Sequence, residues 1–228
     1  MNHTLKNFDA ELTRLYGEIR RMGELSVAQL KAALFALQSK DAAVADAVVR
    51  ADAAIDALER EVGHDVLRLL ALRQPMARDL REVYGALKIS ADIERIGDLA
   101  ANIAKRAKIV HRHTELPVLN DIEALLLFSA QMVSDAVAAY HARDAEQSLA
   151  VRARDAELDE RYTQLFQRLL KHMTDTPDAI TGGTHLLFIA KNLERVGDHA
   201  TNIVENTIFI VTGEDALDQR VKRDGTTN

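Results

Sequence analysis

Apolar residues recur along this chain at intervals of three and four over long stretches, the period of helices that bury one face, and the few breakers mark where each helix stops. The pattern predicts six helices. The first runs from about Phe8 to Gln38 and ends near "SKD", where Asp41 is placed to cap the next. The second, about Ala42 to Arg73, stops at "RQP", because Pro75 disfavours helical geometry in Gln74. A third spans about Met76 to His111 and leads into the polar joint "RHTELPVLND". Three more follow at about Ile122 to His141, Ala145 to Met173 and Ala179 to Val211, with "TDTPD" between the last two. The closing "TGEDALDQRVKRDGTTN" reads as a charged, disordered tail.

The second three helices repeat the first three. "DIERIGDLAANI", Asp92 to Ile103, returns as "NLERVGDHATNI", Asn192 to Ile203, at an offset of 100 residues. Upstream, "KDAAVADAVVRADAAID" aligns with "RDAEQSLAVRARDAELD" at an offset of 103, so the second copy has a joint three residues shorter. Internal duplication accounts for this. The expected fold is therefore all-α, two tandem antiparallel three-helix bundles over residues 1–113 and 119–213, with the tail at 214–228. A glycine stands mid-helix in both strings at a cost of about 1 kcal/mol relative to alanine, so something in the fold must offset it twice.

Composition agrees with an all-helical chain: 4% aromatic residues, no Trp and only 3 Pro in 228 residues. The absence of cysteine excludes disulfides, zinc fingers, iron–sulfur clusters and a cysteine nucleophile. With 29 basic and 35 acidic residues, and no basic block interleaved with aromatics, nucleic acid is not an expected partner. No run of 18 or more apolar residues lacks a charge, and the amino terminus has no signal-like segment, so a cytoplasmic protein is expected, reaching the membrane only through partners.

On the third helix, Ile89, Ile93, Ile96, Ala100, Ile103 and Ala107 form one apolar row. The opposite row begins Leu80, Tyr84, Leu87, Ala91 and continues as Glu94, Asp98 and Asn102, which places the acidic residues beside a neighbouring helix rather than in open water. Its copy reads Leu187, Lys191, Glu194, Asp198, Asn202. Carboxylates at i and i+4 repel by a few tenths of a kcal/mol on an exposed helix and by more when desolvated, so a compensating cation is called for. The second helix carries Asp52 and Asp56 at the same spacing, copied as Asp155 and Asp159. Four carboxylates around one groove suit a hard cation with oxygen ligands. Single pairs of this kind are common on solvated faces; these occur on two helices of each half and recur with the repeat. Arg95 and Arg195 either brace the carboxylates by charge-assisted hydrogen bonds or face the ligand. Gly97 and Gly197 most simply permit close helix approach. His199, one step past Asp198, is a candidate subsidiary ligand, although its counterpart Leu99 favours a packing role. Asn102 and Asn202 are further subsidiary candidates. Glu61 and His64 have the Glu-x-x-His spacing of di-iron bundles, but such bundles need that motif on two helices and it occurs once.

The doubled E-R-[IV]-G-D-x-x-x-N-I, "AIDALE" with its copy "ELDERY", and "RQPMARDLR" resemble the PhoU family of phosphate-transport accessory proteins over nearly the whole chain. The resemblance implies tandem three-helix bundles and a negative regulator of the phosphate-starvation response. It also implies two partners: the nucleotide-binding subunit of the phosphate ABC transporter and the cytoplasmic sensor region of a histidine kinase. A homodimer is expected as well. Family members hold metal ions at paired acidic motifs, which fall here on Asp52, Asp56, Glu94 and Asp98, and on Asp155, Asp159, Glu194 and Asp198. Iron, zinc, manganese and magnesium are the candidate divalent or trivalent ions. Asn192 replaces Asp92 in the second copy, so the two sites are expected to differ in affinity. The expectation is a metal-binding regulatory adaptor and not an enzyme. The competing reading is a metal-dependent, carboxylate-bridged hydrolase or ferroxidase-like enzyme, against which stands the lack of a nucleophile–base arrangement or a phosphate-cradling glycine loop.

Overall fold

The computed structural model describes residues 2–111, 118–216 and 225–226. Residues 112–117 of the expected joint, with the boundary at 113, and most of the expected tail lie outside these residues; the rest of the joint is described, and α4 already begins within it at Leu119. The described chain is helical: α1 (Asn2–Ser39), α2 (Ala42–Arg73), α3 (Arg78–Val110), α4 (Leu119–Ala142), α5 (Ala145–Ala153), α6 (Asp155–Asp175) and α7 (Ile180–Thr212), with a single 3₁₀ turn at Pro177–Ala179. Asp41 caps α2 as expected, its carboxylate accepting from the Ala43 amide at 2.8 Å. Gln74, ahead of Pro75, leaves the helix in a left-handed conformation (φ 47°, ψ 56°). The α2–α3 corner uses a second residue of positive φ, Ala77, and α3 begins at Arg78, two residues later than the periodicity suggested.

The expected fifth helix, Ala145 to Met173, is a kinked pair instead. At Arg154 the backbone stays right-handed (φ −75°, ψ −14°), but its amide bonds to the Val151 carbonyl three residues back, a local tightening that separates α5 from α6. The kink is braced from α4, where Arg154 lies 2.6 Å from Asp135 and stacks 4.7 Å from the Phe128 ring centroid. The same face continues down α6 at heptad spacing: Arg161 also lies over Phe128, and Arg168 pairs with Asp121 at 2.8 Å. Asp121, Phe128 and Asp135 on α4 thus face Arg168 and Arg161 on α6 and Arg154 at its N-cap, each set spaced by seven residues.

Helices α1–α3 form one bundle, and α4 with α5–α6 and α7 the other. The most extensive contact between any two helices joins the bundles, α3 against α7, with α1 against α4 beside it, and a single apolar core runs through both. The pair α3/α7 is antiparallel: Gly85 near the start of α3 abuts Ile210 near the end of α7, while Arg106 stacks 4.1 Å from the Phe188 ring centroid. The predicted row Ile89, Ile93, Ile96, Ala100, Ile103, Ala107 is wholly buried. Among the described residues one helix, α4, is long and apolar enough to cross a membrane by composition, and 56% of its most apolar 18-residue window is packed inside the protein.

Candidate metal centre

In the first bundle, α2 carries Asp52 and Asp56 to the face of α3 that presents Glu94 and Asp98. A Cβ built on Gly97 would stand 2.9 Å from Asp52 Oδ1, 3.0 Å from Ile55 Cδ1 and 3.2 Å from Gln29 Oε1, so glycine is what lets the three helices close on the carboxylate. The Gln29 amide donates to Asp52 Oδ1 at 3.1 Å and to the Val48 carbonyl at 3.3 Å. Burial pushes the Asp52 carboxyl above its ordinary range against the Gln29 hydrogen bond, and the charges of Asp56 and Asp98 push the same way. Glu94 is likewise raised by burial first and then by Asp98, with Asp56 and Glu59 adding to it and Arg95 opposing. Carboxylates from two helices therefore act on one another as the i, i+4 pattern required.

Arg95 takes the compensating role within this structure. Its Nη1 lies 3.1 Å from Asp98 Oδ2 and its Nε 3.5 Å from Glu94 Oε2, which is the bracing arrangement. Among the described residues, no three carboxylate or imidazole side chains are gathered closely enough to hold a metal ion as they stand. The donor set, all carboxylate oxygen, fits a hard cation. Chelation would need Glu94 and Asp98 to turn from Arg95 toward α2.

The second copy is the same plan with different surroundings. Asp155, Asp159 and Glu194 are almost fully buried, whereas their counterparts Asp52, Asp56 and Glu94 are only partly buried; Asp98 and Asp198 are partly exposed alike. Thr201 donates to Asp155 Oδ1 at 3.3 Å, where the first copy has Ala101 and uses Gln29 instead. Glu194 pairs with Lys191 at 2.9 Å, one turn back on α7, where the first copy has Ala91. Arg195, the brace expected by analogy with Arg95, is exposed and makes no ion pair among the described residues. Lys191 was legible in the sequence as a basic residue three positions before Glu194 in the same row. Gly197 is tighter than Gly97: its Cβ would fall 2.0 Å from a Leu158 methyl.

The subsidiary candidates go elsewhere. His199 Nδ1 lies 2.8 Å from Asp92 Oδ1, and the Asn202 amide donates to the same oxygen at 3.0 Å, so both are spent on joining α7 to α3 across the bundle boundary. Asn102 is exposed. The expected shelter of the acidic row by a neighbour holds only in its middle, at Leu87 and Glu94: Asp98 is 43% exposed, Asn102 is exposed, and Leu80 and Tyr84 are 44% and 48% exposed. Beside them α3 and α7 bound a groove of about 780 Å³, lined by Tyr84, Lys88, Asp92, Arg95, Asn202 and Phe209 among others.

Two segments of the chain, residues 19–107 and 122–207, match the family model described as the PhoU domain. A phosphate-specific transport system accessory protein PhoU homolog of Xylella fastidiosa is 51% identical over 226 residues, covering 99% of this chain and 95% of that protein. The homolog of Caulobacter vibrioides is 43% identical, with 97% of each chain covered. Among solved structures, PhoU from Pseudomonas aeruginosa superposes with a TM-score of 0.87 at 34% identity, covering 91% of this chain and all of that one. The phosphate transport system regulatory protein PhoU from Streptococcus pneumoniae gives 0.85 at 30% identity over 93% of this chain and 100% of its own.

Proposed function

The chain belongs to the PhoU family, and from that premise we propose that it is an accessory protein of phosphate-specific transport which represses the starvation response by binding, not by turnover. Its partners in this reading are the nucleotide-binding subunit of the phosphate ABC transporter and the cytoplasmic sensor region of the responding kinase. The observation that carries the reading is the duplicated acidic face: in each half, glycine brings the α2-type helix onto the E-R-[IV]-G-D helix beside carboxylates from both, partly buried in the first half and, at Asp155, Asp159 and Glu194, almost fully buried in the second. Such a face is costly when empty of cations and becomes ordered when one is bound, which suits a surface whose shape reports a bound ion.

Asp52, Asp56, Glu94 and Asp98 would hold a cation in the first half, and Asp155, Asp159, Glu194 and Asp198 in the second. The bound ion would supply charge neutralisation and a fixed orientation of the carboxylates. This chain's own contribution is to hold Asp52 by Gln29 and Asp155 by Thr201, and to keep Arg95 and Lys191 beside the glutamates as internal counter-charges. The second site, more buried and carrying its own lysine, is expected to load less readily than the first.

The test is capture of the two partners by wild-type, Asp98→Glu and metal-stripped protein. Weakened capture by the latter two, with unchanged helical content, supports the reading. Equal capture by all three removes the metal from the docking role, and turnover of a phosphate compound by metal-loaded wild type would replace an adaptor with an enzyme.

A further inference from the structure

A cluster unrelated to the acidic faces sits where the first turns of α3 meet the end of α4. Glu82 on α3 is 2% exposed, and its Oε1 lies 3.3 Å from Arg143 Nε and 3.4 Å from Arg78 Nε. Arg143 is the C-cap of α4 in a left-handed conformation (φ 55°, ψ 41°), uncommon for a residue other than glycine. Its guanidinium stacks 4.9 Å from the Tyr16 ring centroid and donates to Tyr16 Oη at 2.8 Å. The Tyr16 ring in turn packs at 5.4 Å on that of Tyr140. Glu82 and Tyr16 of the first bundle therefore clasp Arg143 and Tyr140 of the second.

The clasp is incompletely satisfied. Glu82 Oε2 and Tyr140 Oη are both buried with no hydrogen-bond partner, and native structures rarely leave such groups so. Burial raises the Glu82 carboxyl above its ordinary range, more than the facing Arg143 charge lowers it. The Tyr140 hydroxyl is pushed up by burial and by the Glu82 charge. Arg143 is 40% exposed, so water serves its charge when the helices part, while Glu82 gains hydration only by parting. The groups facing Glu82 are Arg78 on its own helix, Arg143 and Tyr140 on α4, and Tyr16 on α1; α7 offers no charge here, only the Ile210 carbonyl, which Arg81 engages at 3.4 Å.

We propose that this seam is a proton-operated lock between the two bundles: an ionised Glu82 makes it the point where they part, and a neutral side chain at that position closes it. The sign follows from burial. A carboxyl whose folded value is raised stabilises the folded state most at pH below its unfolded value, and that contribution is lost as pH rises through the folded value. Acidification therefore tightens the seam.

Hydrogen exchange of the amides in 82–86 and 136–143 tests this in full-length, chelator-treated wild type, Glu82→Gln, Glu82→Asp and Tyr140→Phe near neutral pH. Glu82→Gln should slow exchange in both segments relative to wild type, because its neutral amide leaves no buried charge to hydrate when the seam parts. Tyr140→Phe should slow it less, because the buried charge remains, and Glu82→Asp should exchange at least as fast as wild type. The melting advantage of Glu82→Gln over wild type should vanish below the ordinary carboxyl range. Exchange in Glu82→Gln equal to or faster than wild type would overturn the proposal and make the Glu82–Arg143 ion pair a plain fastener. The absence of metal and partners from the assay keeps this result separate from that of the adaptor reading.

Discussion

At the scale of the residue, the two mid-helix glycines have different neighbours and should behave differently. Alanine at Gly197 gains about 1 kcal/mol of helix propensity but drives a Cβ into Leu158, which is fully buried, and overpacking of a tight core costs about 1–3 kcal/mol. Gly197→Ala should therefore lower stability in urea denaturation, whereas Gly97→Ala meets the Asp52 carboxylate and should impair cation binding more than folding. The raised carboxyls give a second expectation. Burial first, then Asp98, holds Glu94 high, so the unbound protein loses the contribution of its protonated form as pH rises through that raised value. Without metal, Glu94→Gln should be more stable than wild type near neutral pH, and the difference should close below about pH 4, where the unfolded carboxyl protonates as well. A third measurement is direct: elemental analysis of the Glu94→Ala, Asp98→Ala double variant should show metal lost from the first half alone. Retention of all metal would reduce these carboxylates to a solvated face braced by Arg95.

At the scale of the element, the six helix positions followed from period and breakers, and the Asp41 cap and the Gln74–Pro75 stop lie where local chemistry put them. The division of the fifth helix at Arg154 did not show in the sequence, because neither glycine nor proline marks it, and the weak helix formers Val151 and Asp155 do not by themselves stop a helix. What holds the kink is tertiary: Asp135 and Phe128 on α4 engage Arg154. The ladder that continues along α6 can be graded by exposure. Arg154→Ala should cost about 1–2 kcal/mol by loss of a half-buried ion pair and a cation–π contact, and Arg168→Ala, 61% exposed, no more than about 0.5 kcal/mol. Chemical denaturation of the two variants decides it, and equal costs would mean that the kink needs no brace.

At the scale of the molecule, the antiparallel α3/α7 pair sets the two copies of the repeated string side by side, and one core crosses the boundary between bundles. Unfolding should accordingly be a single cooperative transition, with near-ultraviolet and far-ultraviolet signals coincident; two resolved transitions would show that the bundles fold independently. The all-α class, the duplication and the rows that carry the carboxylates were determined by the sequence alone, since period, cap and breaker act between residues a few positions apart. Only the tertiary structure decided that His199 and Asn202 serve Asp92 across the boundary, that Gln29 and Thr201 hold the equivalent aspartates of the two halves, and that Glu82 is buried against α4. Those pairings join residues far apart in the chain, and no local period records which helix will lie across from which.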